Sequence, residues 1–467
     1  MKVGLALQLK LLKISGLKNK MGIFNKLRNK ETKNASWIIG GKLAQMALSF
    51  FIGIWTARFL GPGNYGLLNY VSAYIAFFTS FCTLGFTAVV MVNELTKNPD
   101  EEGTAIGTSM VLRLISSAIS AIAIVGLVYL IDKDEPETIL IAVLASVSLL
   151  FQVFDSIEYW FQKRYLSKIT SIAIFIGYCF TTAYRVVLLI LEANVYWFAF
   201  ATSIDYIVVA VVLFIVYKKY GGPKLKFSWV KGKQLLAVGC SFILSGMMVA
   251  IYGQTDKIML KLMLSETEVG YYSTAANLCV MWTFVLSAIV SSLAPTITKF
   301  KKEGNEEDYL RKNRQLYAII FYISIGVSAV ITLVAPLAIR ILYGAEYEGS
   351  IMPLRIVTWY VAFSYLGVAR DVWLVCENKQ KYSKYIYLLA AVSNVGLNFA
   401  FIPLLGPSGA AVASLLTQVL TSLLLPCLFK ALRPNVKLIL MGITFYDYRH
   451  KNKNVLSEEE TKEQTDE

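Results

Sequence analysis

Residues 36–94 read SWIIGGKLAQMALSFFIGIWTARFLGPGNYGLLNYVSAYIAFFTSFCTLGFTAVVMVNE, two apolar runs separated by a turn at residues 61–63. Each run can cross a hydrocarbon core of about 30 Å, which takes roughly 20 helical residues. The stretch therefore predicts a hairpin of two membrane-spanning helices. Polar or small residues recur on one face of the first helix at three- and four-residue steps: Lys42, Gln45, Ser49, Gly53 and Thr56. Since a charged face does not point at lipid, further helices must cover it.

The rest of the 467-residue chain continues this pattern. Hydrophobic residues make up 56% of it and charged residues only 16%, which is typical of a multi-span membrane protein. Ten further apolar runs centre near Ile119, Leu144, Gly177, Val208, Met247, Phe284, Gly326, Tyr360, Val392 and Leu416. With the opening hairpin they predict an all-α polytopic fold of about twelve spans.

The connections between the runs alternate in charge. Four of the five even-numbered connections are rich in Lys and Arg, whereas the odd-numbered ones, such as DKDEPET and YGAEYEGS, are short or poor in basic residues. By the positive-inside rule this alternation predicts that both termini are cytoplasmic. The exception is the acidic even connection NELTKNPDEEGTA. Because the excess of basic residues, +14 overall, lies in these short clusters, it indicates topology rather than nucleic-acid binding.

A long basic connection at residues 218–233 divides the chain into two six-span halves. We therefore predict a basic N-terminal segment at 1–35, an N-lobe at 36–217, a C-lobe at 234–432 and a cytoplasmic tail at 433–467. Translation can start at Met1 or at Met21. Each half has a similar hairpin, GNYGLLNYVSA in the first and TEVGYYSTAAN in the second, which aligns Gly66 with Gly270. An even number of spans gives two halves of the same orientation, as in parallel-repeat transporters.

The residues that catalysis or metal binding usually needs are scarce. The single histidine is His450, and the six cysteines are widely spaced within apolar runs. No phosphate-binding loop and no nucleophile elbow occurs. The sequence thus predicts no catalytic residue, no metal site and no cofactor.

Charged residues within the spans mark candidate functional positions, because they are costly there and usually face a cavity or a partner. Lys42 and Arg113 are the strongest of these, since neither has an acidic residue one turn away in its own helix. Two structural alternatives stay open. Small and polar stripes also serve helix packing, and buried Arg/Asp pairs also hold helices in register.

Three segments carry a resemblance to a known family: the signature from Trp37 to Ala73, DKIMLKLMLSETEVGYYSTAANL from Asp256, and GPSGAAVAS from Gly406. They are similar to the polysaccharide biosynthesis flippases, the Wzx-type transporters of O-antigen and capsule repeat units in the multidrug/oligosaccharidyl-lipid/polysaccharide (MOP) exporter superfamily. The similarity extends from about Trp37 to about Arg433.

The resemblance implies two six-helix lobes and alternating-access transport of an undecaprenyl-diphosphate-linked oligosaccharide from the cytoplasmic to the outer leaflet of a bacterial plasma membrane. It implies a cationic site for the diphosphate, with the candidates Lys42, Arg113, Arg185, Lys257 and Arg370. Candidate sugar contacts are Gln45, Ser49, Gln152, Tyr252, Asn277 and Asn398. Candidates for coupling to Na⁺, H⁺ or the membrane potential are Asp155, Glu158, Asp205 and Asp256. The partners expected are the lipid-linked sugar, membrane lipid, a polysaccharide polymerase and a chain-length regulator.

Three other functions are alternatives. A drug/cation antiporter would use a similar bundle, although basic residues in a cavity suit an anion better. A membrane glycosyltransferase or polymerase would need placed carboxylates in a substantial extramembrane loop. A lipid II flippase generally has two further spans, for which the run Val436–Phe445 is too short.

Overall fold

We describe a computed structural model of the chain, which covers residues 30–444. Within that range the backbone is helical, with turns between helices and no strand. The all-α prediction is therefore confirmed. Residues 1–29 of the predicted basic N-terminal segment and residues 445–467 of the predicted tail lie outside the described residues.

The chain forms seventeen α-helices over the described range. They are α1 Lys30–Cys82, α2 Ala88–Lys97, α3 Glu102–Ile131, α4 Pro136–Phe151, α5 Asp155–Lys163, α6 Ser167–Ile190, α7 Val195–Lys219, α8 Trp229–Met263, α9 Glu266–Val280, α10 Phe284–Lys302, α11 Glu306–Leu342, α12 Ile351–Val357, α13 Tyr360–Cys376, α14 Ser383–Leu405, α15 Pro407–Val419, α16 Leu425–Cys427 and α17 Arg433–Ile443. Short 3₁₀ turns join α4 to α5 and α9 to α10, and a π-helical turn, Leu420–Leu424, follows α15.

Each of the twelve predicted apolar runs lies in a helix. Among the described residues, eight helical stretches are long and apolar enough to cross a membrane, and a ninth is the bent pair of α12 and α13, with an angle of 47°. Helix α8 and the two halves of α1 contain the remaining three runs.

The turn at residues 61–63 is a break within α1 rather than a loop. Gly61 has φ 70° and ψ 170°, a conformation that residues with a Cβ rarely adopt. Pro62 follows and is suited to the first position of the second helical half, since it has no N–H to lose there. Three other prolines, Pro295, Pro336 and Pro403, also lie inside helices.

The described helices form two compact units. The first unit contains the described residues up to Ile52, then Cys82–Ala123 and Leu144–Cys240. Its main apolar cluster surrounds Trp160 and Phe161 on α5, with Leu95 on α2 and Ile106 on α3. Gly103 and Gly107 let α3 approach the backbone of the segment after α7, because a Cβ there would lie 2.3–2.4 Å from a carbonyl oxygen.

The acidic connection that broke the charge pattern supplies the carboxylates of an ion-pair network in this unit. Glu102 forms ion pairs with Lys163 and with Arg164, the latter at 2.8 Å. Lys231 lies 2.6 Å from Glu94 and 2.7 Å from Glu101. These basic residues lie in the next two even-numbered connections. The acidic residues therefore pair with cations from connections that are predicted to lie on the same side of the membrane.

The network also changes the protonation of Glu94. Burial raises the pKa of this carboxyl, but the hydrogen bond and charge of Lys231 outweigh burial, and the pKa lies below its usual value. Glu94 is therefore held in its charged form.

The second unit contains Gly53–Phe81, Ile124–Val143 and the described residues from Ser241 onward. Its main apolar cluster joins α11, α13 and α17 around Tyr317, Trp373 and Ile439. Residues 433–443, which the sequence analysis assigned to the tail, form α17. This helix packs on α11, where the Asn435 amide donates a 2.6 Å hydrogen bond to the Tyr317 hydroxyl.

The two similar hairpin segments pack against each other inside the second unit. A Cβ on Gly66 would lie 1.8 Å from the carbonyl oxygen of Glu266, and a Cβ on Gly270 would lie 2.0 Å from that of Pro62. Gly66 thus contacts the residue four positions before Gly270, and Gly270 contacts the residue four positions before Gly66. This reciprocal contact supports the alignment of Gly66 with Gly270 as an internal repeat.

Two ion pairs of Lys261 lie at the end of the same contact. Lys261 is 2.6 Å from Glu135 and 3.4 Å from Glu266. Burial raises the pKa of Glu135, but Lys261 more than compensates, and the carboxyl has a pKa below its usual value.

Candidate functional site

The second unit contains a cavity of about 290 Å³ between helices α8, α9, α13 and α15. Its wall combines aromatic, amide and charged groups. They include Tyr252, Tyr272, Tyr360, Gln254, Asn277, Gln418, Asp256 and Lys257. Of the sequence-predicted candidates it brings together Tyr252, Asp256, Lys257 and Asn277. A concave space lined by several polar groups is typical of a ligand site.

Asp256 is the most heavily hydrogen-bonded group of this wall. Its side chain is 3% exposed. One carboxylate oxygen accepts hydrogen bonds from the amides of Asn394, at 3.1 Å, and Asn398, at 2.7 Å. The other accepts from the hydroxyls of Tyr272 and Ser414. All four donors are neutral, so they stabilise the carboxylate without cancelling its charge.

Local helix geometry brings these four donors together. Asn394 and Asn398 lie one turn apart on α14 and thus share a face. The chain then turns at Gly406, with φ 58°. A Cβ on Gly409 would lie 2.1 Å from the carbonyl oxygen of Phe401. The close hairpin of α14 and α15 therefore depends on glycine there, and it places Ser414 beside the two asparagines.

One oxygen of this cluster has no hydrogen-bond donor among the described residues: the amide oxygen of Asn398, on a side chain that is 0% exposed. Amide nitrogen and oxygen positions are assigned from the hydrogen-bond network, so this amide can also present its oxygen toward Asp256. Carboxylate, amide and hydroxyl oxygens are the donor set that a small hard cation prefers. Asp256, Asn394, Asn398 and Ser414 carry groups of these three kinds.

Lys257 differs from Asp256, its neighbour in the chain. It is half-buried on the cavity wall, and no described residue forms a hydrogen bond or an ion pair with its ammonium group. Successive residues of a helix do not face each other, which explains why Asp256 binds other groups. Lys257 is therefore available for an anion in the cavity.

Arg113 is a buried member of a hydrogen-bonded cluster in the first unit. Its side chain is 1% exposed. The guanidinium donates to the Ser156 hydroxyl at 2.9 Å and to the backbone carbonyl of Gln152 at 3.0 Å. Asp155 lies within electrostatic range of Arg113 and Glu158. The structure thus gathers four of our predicted candidates here: Arg113, Gln152, Asp155 and Glu158.

The other candidates of the first unit lie apart from that cluster or have undescribed side chains. Asp205 accepts a 3.2 Å hydrogen bond from Thr181 and interacts with Arg185. Gln45 is half-buried and Ser49 is exposed on α1. Lys42 lies on the same helix, and its side chain is outside the described residues.

Two candidates of the second unit, Asn398 and Arg370, are not among the described residues that line the cavity. Asn398 is fully buried behind Asp256. Arg370, 1% exposed, donates a 2.8 Å hydrogen bond to the backbone carbonyl of Thr421 and lies 3.5 Å from Asp371. Asn277, on the cavity wall, donates a 3.0 Å hydrogen bond to the Tyr65 hydroxyl.

Sequence reasoning missed several residues of this site. They are Tyr272, Asn394, Ser414, Gln254, Tyr360 and Gln418. Two had a signal: Tyr272 lies in TEVGYYSTAAN and Ser414 closes GPSGAAVAS, the segments that carried the family resemblance. The one-turn spacing of the two asparagines on α14 was a third signal. No group of three or more His, Cys, Asp or Glu residues that could hold a metal ion occurs among residues with described side chains.

Comparisons with known proteins agree with this architecture. A family model described as "Polysaccharide biosynthesis protein" matches residues 32–301, more than half of the chain. "Capsular polysaccharide biosynthesis protein CapF" of Staphylococcus aureus is 21% identical over 399 residues, which cover 83% of this chain and 96% of that protein.

Solved structures share the fold. An inward-facing multidrug resistance MATE family transporter of the MOP superfamily superposes with a TM-score of 0.68 at 16% identity, over 87% of this chain and 94% of the transporter. The lipid II flippase MurJ, in an inward closed conformation, has a TM-score of 0.63 at 14% identity, over 86% and 89%. A MOP superfamily transporter from Pyrococcus furiosus has a TM-score of 0.60 at 15% identity, over 91% and 96%.

Proposed function

This chain belongs to the polysaccharide biosynthesis protein family, and from that premise we propose that it is a flippase for lipid-linked oligosaccharides. It moves an undecaprenyl-diphosphate-linked repeat unit from the cytoplasmic to the outer leaflet of a bacterial plasma membrane, for assembly of a capsule, O-antigen or exopolysaccharide. The observation that carries this proposal is the cavity in the second unit, whose wall carries charged, amide and hydroxyl groups. A head group that crosses the membrane needs such a space, while its polyprenyl chain stays in lipid.

The cavity wall fits the two parts of that head group. Lys257 supplies an ammonium group for the diphosphate, and a charge-assisted hydrogen bond is stronger than a neutral one. Tyr252 and Tyr360 supply ring surfaces for a sugar, and Asn277 supplies an amide. Lys42, Arg113, Arg185 and Arg370 stay further candidates for the diphosphate. Arg113 and Arg370 would first have to release their present hydrogen bonds.

Transport against a gradient requires coupling to another source of free energy. Of the four carboxylates we predicted for this role, Asp256 is best arranged for it, since it lines the same cavity as Lys257 and lies among oxygen-bearing side chains. We assign the coupling cation, Na⁺ or H⁺, to Asp256. Asp155, Glu158 and Asp205 are the alternatives. A polysaccharide polymerase and a chain-length regulator would act on the flipped product.

The first test is deletion of the gene in its native host, followed by mass spectrometry of undecaprenyl-linked glycans and treatment of intact cells with an impermeant sugar-modifying reagent. We expect complete repeat units to accumulate, protected from the reagent. We expect the parent gene to restore modification of the glycan by the reagent. The Lys257→Gln variant should restore roughly tenfold less modification, which corresponds to about 1.4 kcal/mol of lost binding free energy. Lys299→Gln is the matched control, because it changes a lysine on α10 whose side chain is 68% exposed.

The flippase proposal and two of its alternatives have different outcomes in that experiment. Complete units that still reach the outer side without the gene would overturn the flippase. Incomplete units would favour a glycosyltransferase. Unchanged glycans together with lost export of a cationic dye would favour the drug antiporter, whose MATE fold this chain shares.

A further inference from the structure

A cluster of basic side chains lies in the second unit, on the side that the charge pattern predicts to be cytoplasmic. Lys381 lies in the turn before α14, Lys384 lies in the first turn of α14, and Lys430 lies between α16 and α17. Arg433 and Lys437 lie one turn apart on α17 and therefore share a face. All five side chains are exposed. We call these five residues the basic patch.

Aromatic rings connect the two segments of the basic patch. The Phe429 ring lies 5.4 Å from the Tyr382 ring and 6.3 Å from the Tyr385 ring, measured between centroids. The ammonium groups of Lys381 and Lys384 lie 5.5 Å and 5.0 Å from the centroids of these two tyrosine rings, respectively. Lysine and tyrosine both combine an apolar body with a polar tip, so they are suited to the boundary between lipid and water.

The charges of the basic patch have no carboxylate partner among the described residues. Other lysines of this region do have one: Lys301 lies 2.8 Å from Glu377, and Lys379 lies 3.9 Å from the same carboxylate. Like charges one turn apart on a helix, such as Arg433 and Lys437, repel each other. The described part of the chain therefore leaves the positive charge of the patch uncompensated, which favours an anion from outside the chain.

Exposed apolar side chains continue from the basic patch along both of its segments. On α14 they are Leu388, Leu389 and Val392, and near α16 they are Leu424 and Leu428. These side chains are 37–66% exposed. In a chain that spans a membrane such side chains face lipid, so the surface changes from lipid-facing to charged within about one helical turn. That change is typical of the headgroup layer.

We propose that the basic patch binds the headgroup of an anionic phospholipid of the cytoplasmic leaflet, for which phosphatidylglycerol is a simple example. The phosphodiester accepts charge-assisted hydrogen bonds from Lys381, Lys384 and Lys430, and the acyl chains lie along the exposed leucines beside them. A phospholipid fits better than a soluble anion, because it contacts the basic and the apolar parts of this surface at once. The patch shares no residue with the described lining of the cavity, so the proposal does not depend on the transported substrate.

The test measures lipid binding to the full-length protein in detergent by native mass spectrometry. The probes are dioleoyl phosphatidylglycerol and dioleoyl phosphatidylcholine, which have the same chains but differ in net charge. We expect the Kd for phosphatidylglycerol to be lower by at least fivefold, and the preference to shrink as the salt concentration rises. In the triple variant Lys381→Gln, Lys384→Gln and Lys430→Gln, the Kd for phosphatidylglycerol should rise at least tenfold, while the Kd for phosphatidylcholine stays unchanged.

Two further variants separate the basic patch from the general excess of basic residues. The triple variant Lys219→Gln, Lys224→Gln and Lys233→Gln is the matched control, since it removes three exposed lysines from another basic connection on the same predicted side. It should bind both lipids as the parent does. The conservative variant Lys381→Arg, Lys384→Arg and Lys430→Arg should keep the preference for phosphatidylglycerol, because it keeps the charge.

Four results would overturn the lipid site. The first is an equal Kd for the two lipids, and the second is an equal loss of binding in both glutamine variants. The third is a lower Kd for undecaprenyl diphosphate than for phosphatidylglycerol, lost in the patch variant, which would make the patch a dock for the lipid-linked substrate.

The fourth result concerns the acidic end of the tail, which is a possible occupant of opposite charge. The full-length triple variant Glu458→Gln, Glu459→Gln and Glu460→Gln should leave the Kd for phosphatidylglycerol unchanged. A Kd tenfold lower in this variant would show that the tail covers the patch in place of lipid. None of the four results changes the flippase proposal, which rests on the cavity.

Discussion

Two buried charged side chains, Arg113 and Asp256, are held by neutral hydrogen-bonding groups. Arg113 contacts a serine hydroxyl and a backbone carbonyl, and Asp256 contacts two amides and two hydroxyls. Such contacts preserve the charge, whereas a close ion pair would cancel it. Each of these groups can therefore still act on a ligand or an ion, which is why buried charge in a membrane helix marks function.

The cluster around Arg113 gives a prediction at this scale. Arg113→Met removes the charged donor to the Gln152 carbonyl and the Ser156 hydroxyl, so it should lower the free energy of unfolding by about 1–3 kcal/mol. Ser156→Ala should have a cost of similar size. Because both changes break the same hydrogen bond, the double variant should cost less than the sum by about 0.5–3 kcal/mol. Thermal unfolding in detergent measures this, and additive costs would contradict the shared contact.

At the scale of helices, close approach depends on glycines at particular positions. Gly66 and Gly270 let α1 and α9 meet backbone to backbone, and Gly409 does the same for α14 and α15. Small residues are favoured at membrane helix contacts because no hydrophobic effect drives helices together within lipid. The segments that resembled a known family are therefore packing motifs as well as neighbours of the site.

We predict that Gly66→Ala and Gly270→Ala each destabilise the protein by about 1–3 kcal/mol, since the added methyl group would overlap a carbonyl oxygen. Gly53→Ala is the matched control on α1. No atom lies within 4 Å of a Cβ there, so the change should be neutral or stabilise the helix by up to about 1 kcal/mol. The measurement is the thermal midpoint of the purified protein. Equal midpoints for Gly66→Ala and Gly53→Ala would show that the contact is looser than described.

At the scale of the whole molecule, ion pairs join connections that are predicted to lie on the same side of the membrane. The ion pairs of Glu102 with Lys163 and of Lys231 with Glu94 join three even-numbered connections. The pairs of Lys261 with Glu135 and Glu266 join two odd-numbered ones. This pattern is consistent with the alternation in the sequence. The cytoplasmic position of the termini stays a prediction.

That topology is tested with single cysteines in a background from which the six native cysteines have been removed. We expect an impermeant maleimide to label Lys133→Cys in intact cells, because the DKDEPET connection should face outward. Glu307→Cys, at the start of α11, should be labelled only after the cells are permeabilised. Both positions are exposed, so accessibility does not favour either one. The reverse labelling would invert the topology.

Sequence by itself determined that the chain forms about a dozen apolar helices, where α1 breaks and which family the chain resembles. These properties are local, because apolar length, glycine at positive φ and proline act within one or two turns. Tertiary structure alone decided that Asp256, rather than Asp155 or Asp205, shares a cavity with Lys257, and that Asn394, Asn398 and Ser414 surround it. These partners lie 138–158 residues from Asp256 in the chain. Only the packing of α8, α14 and α15 brings them together, and no local pattern encodes it.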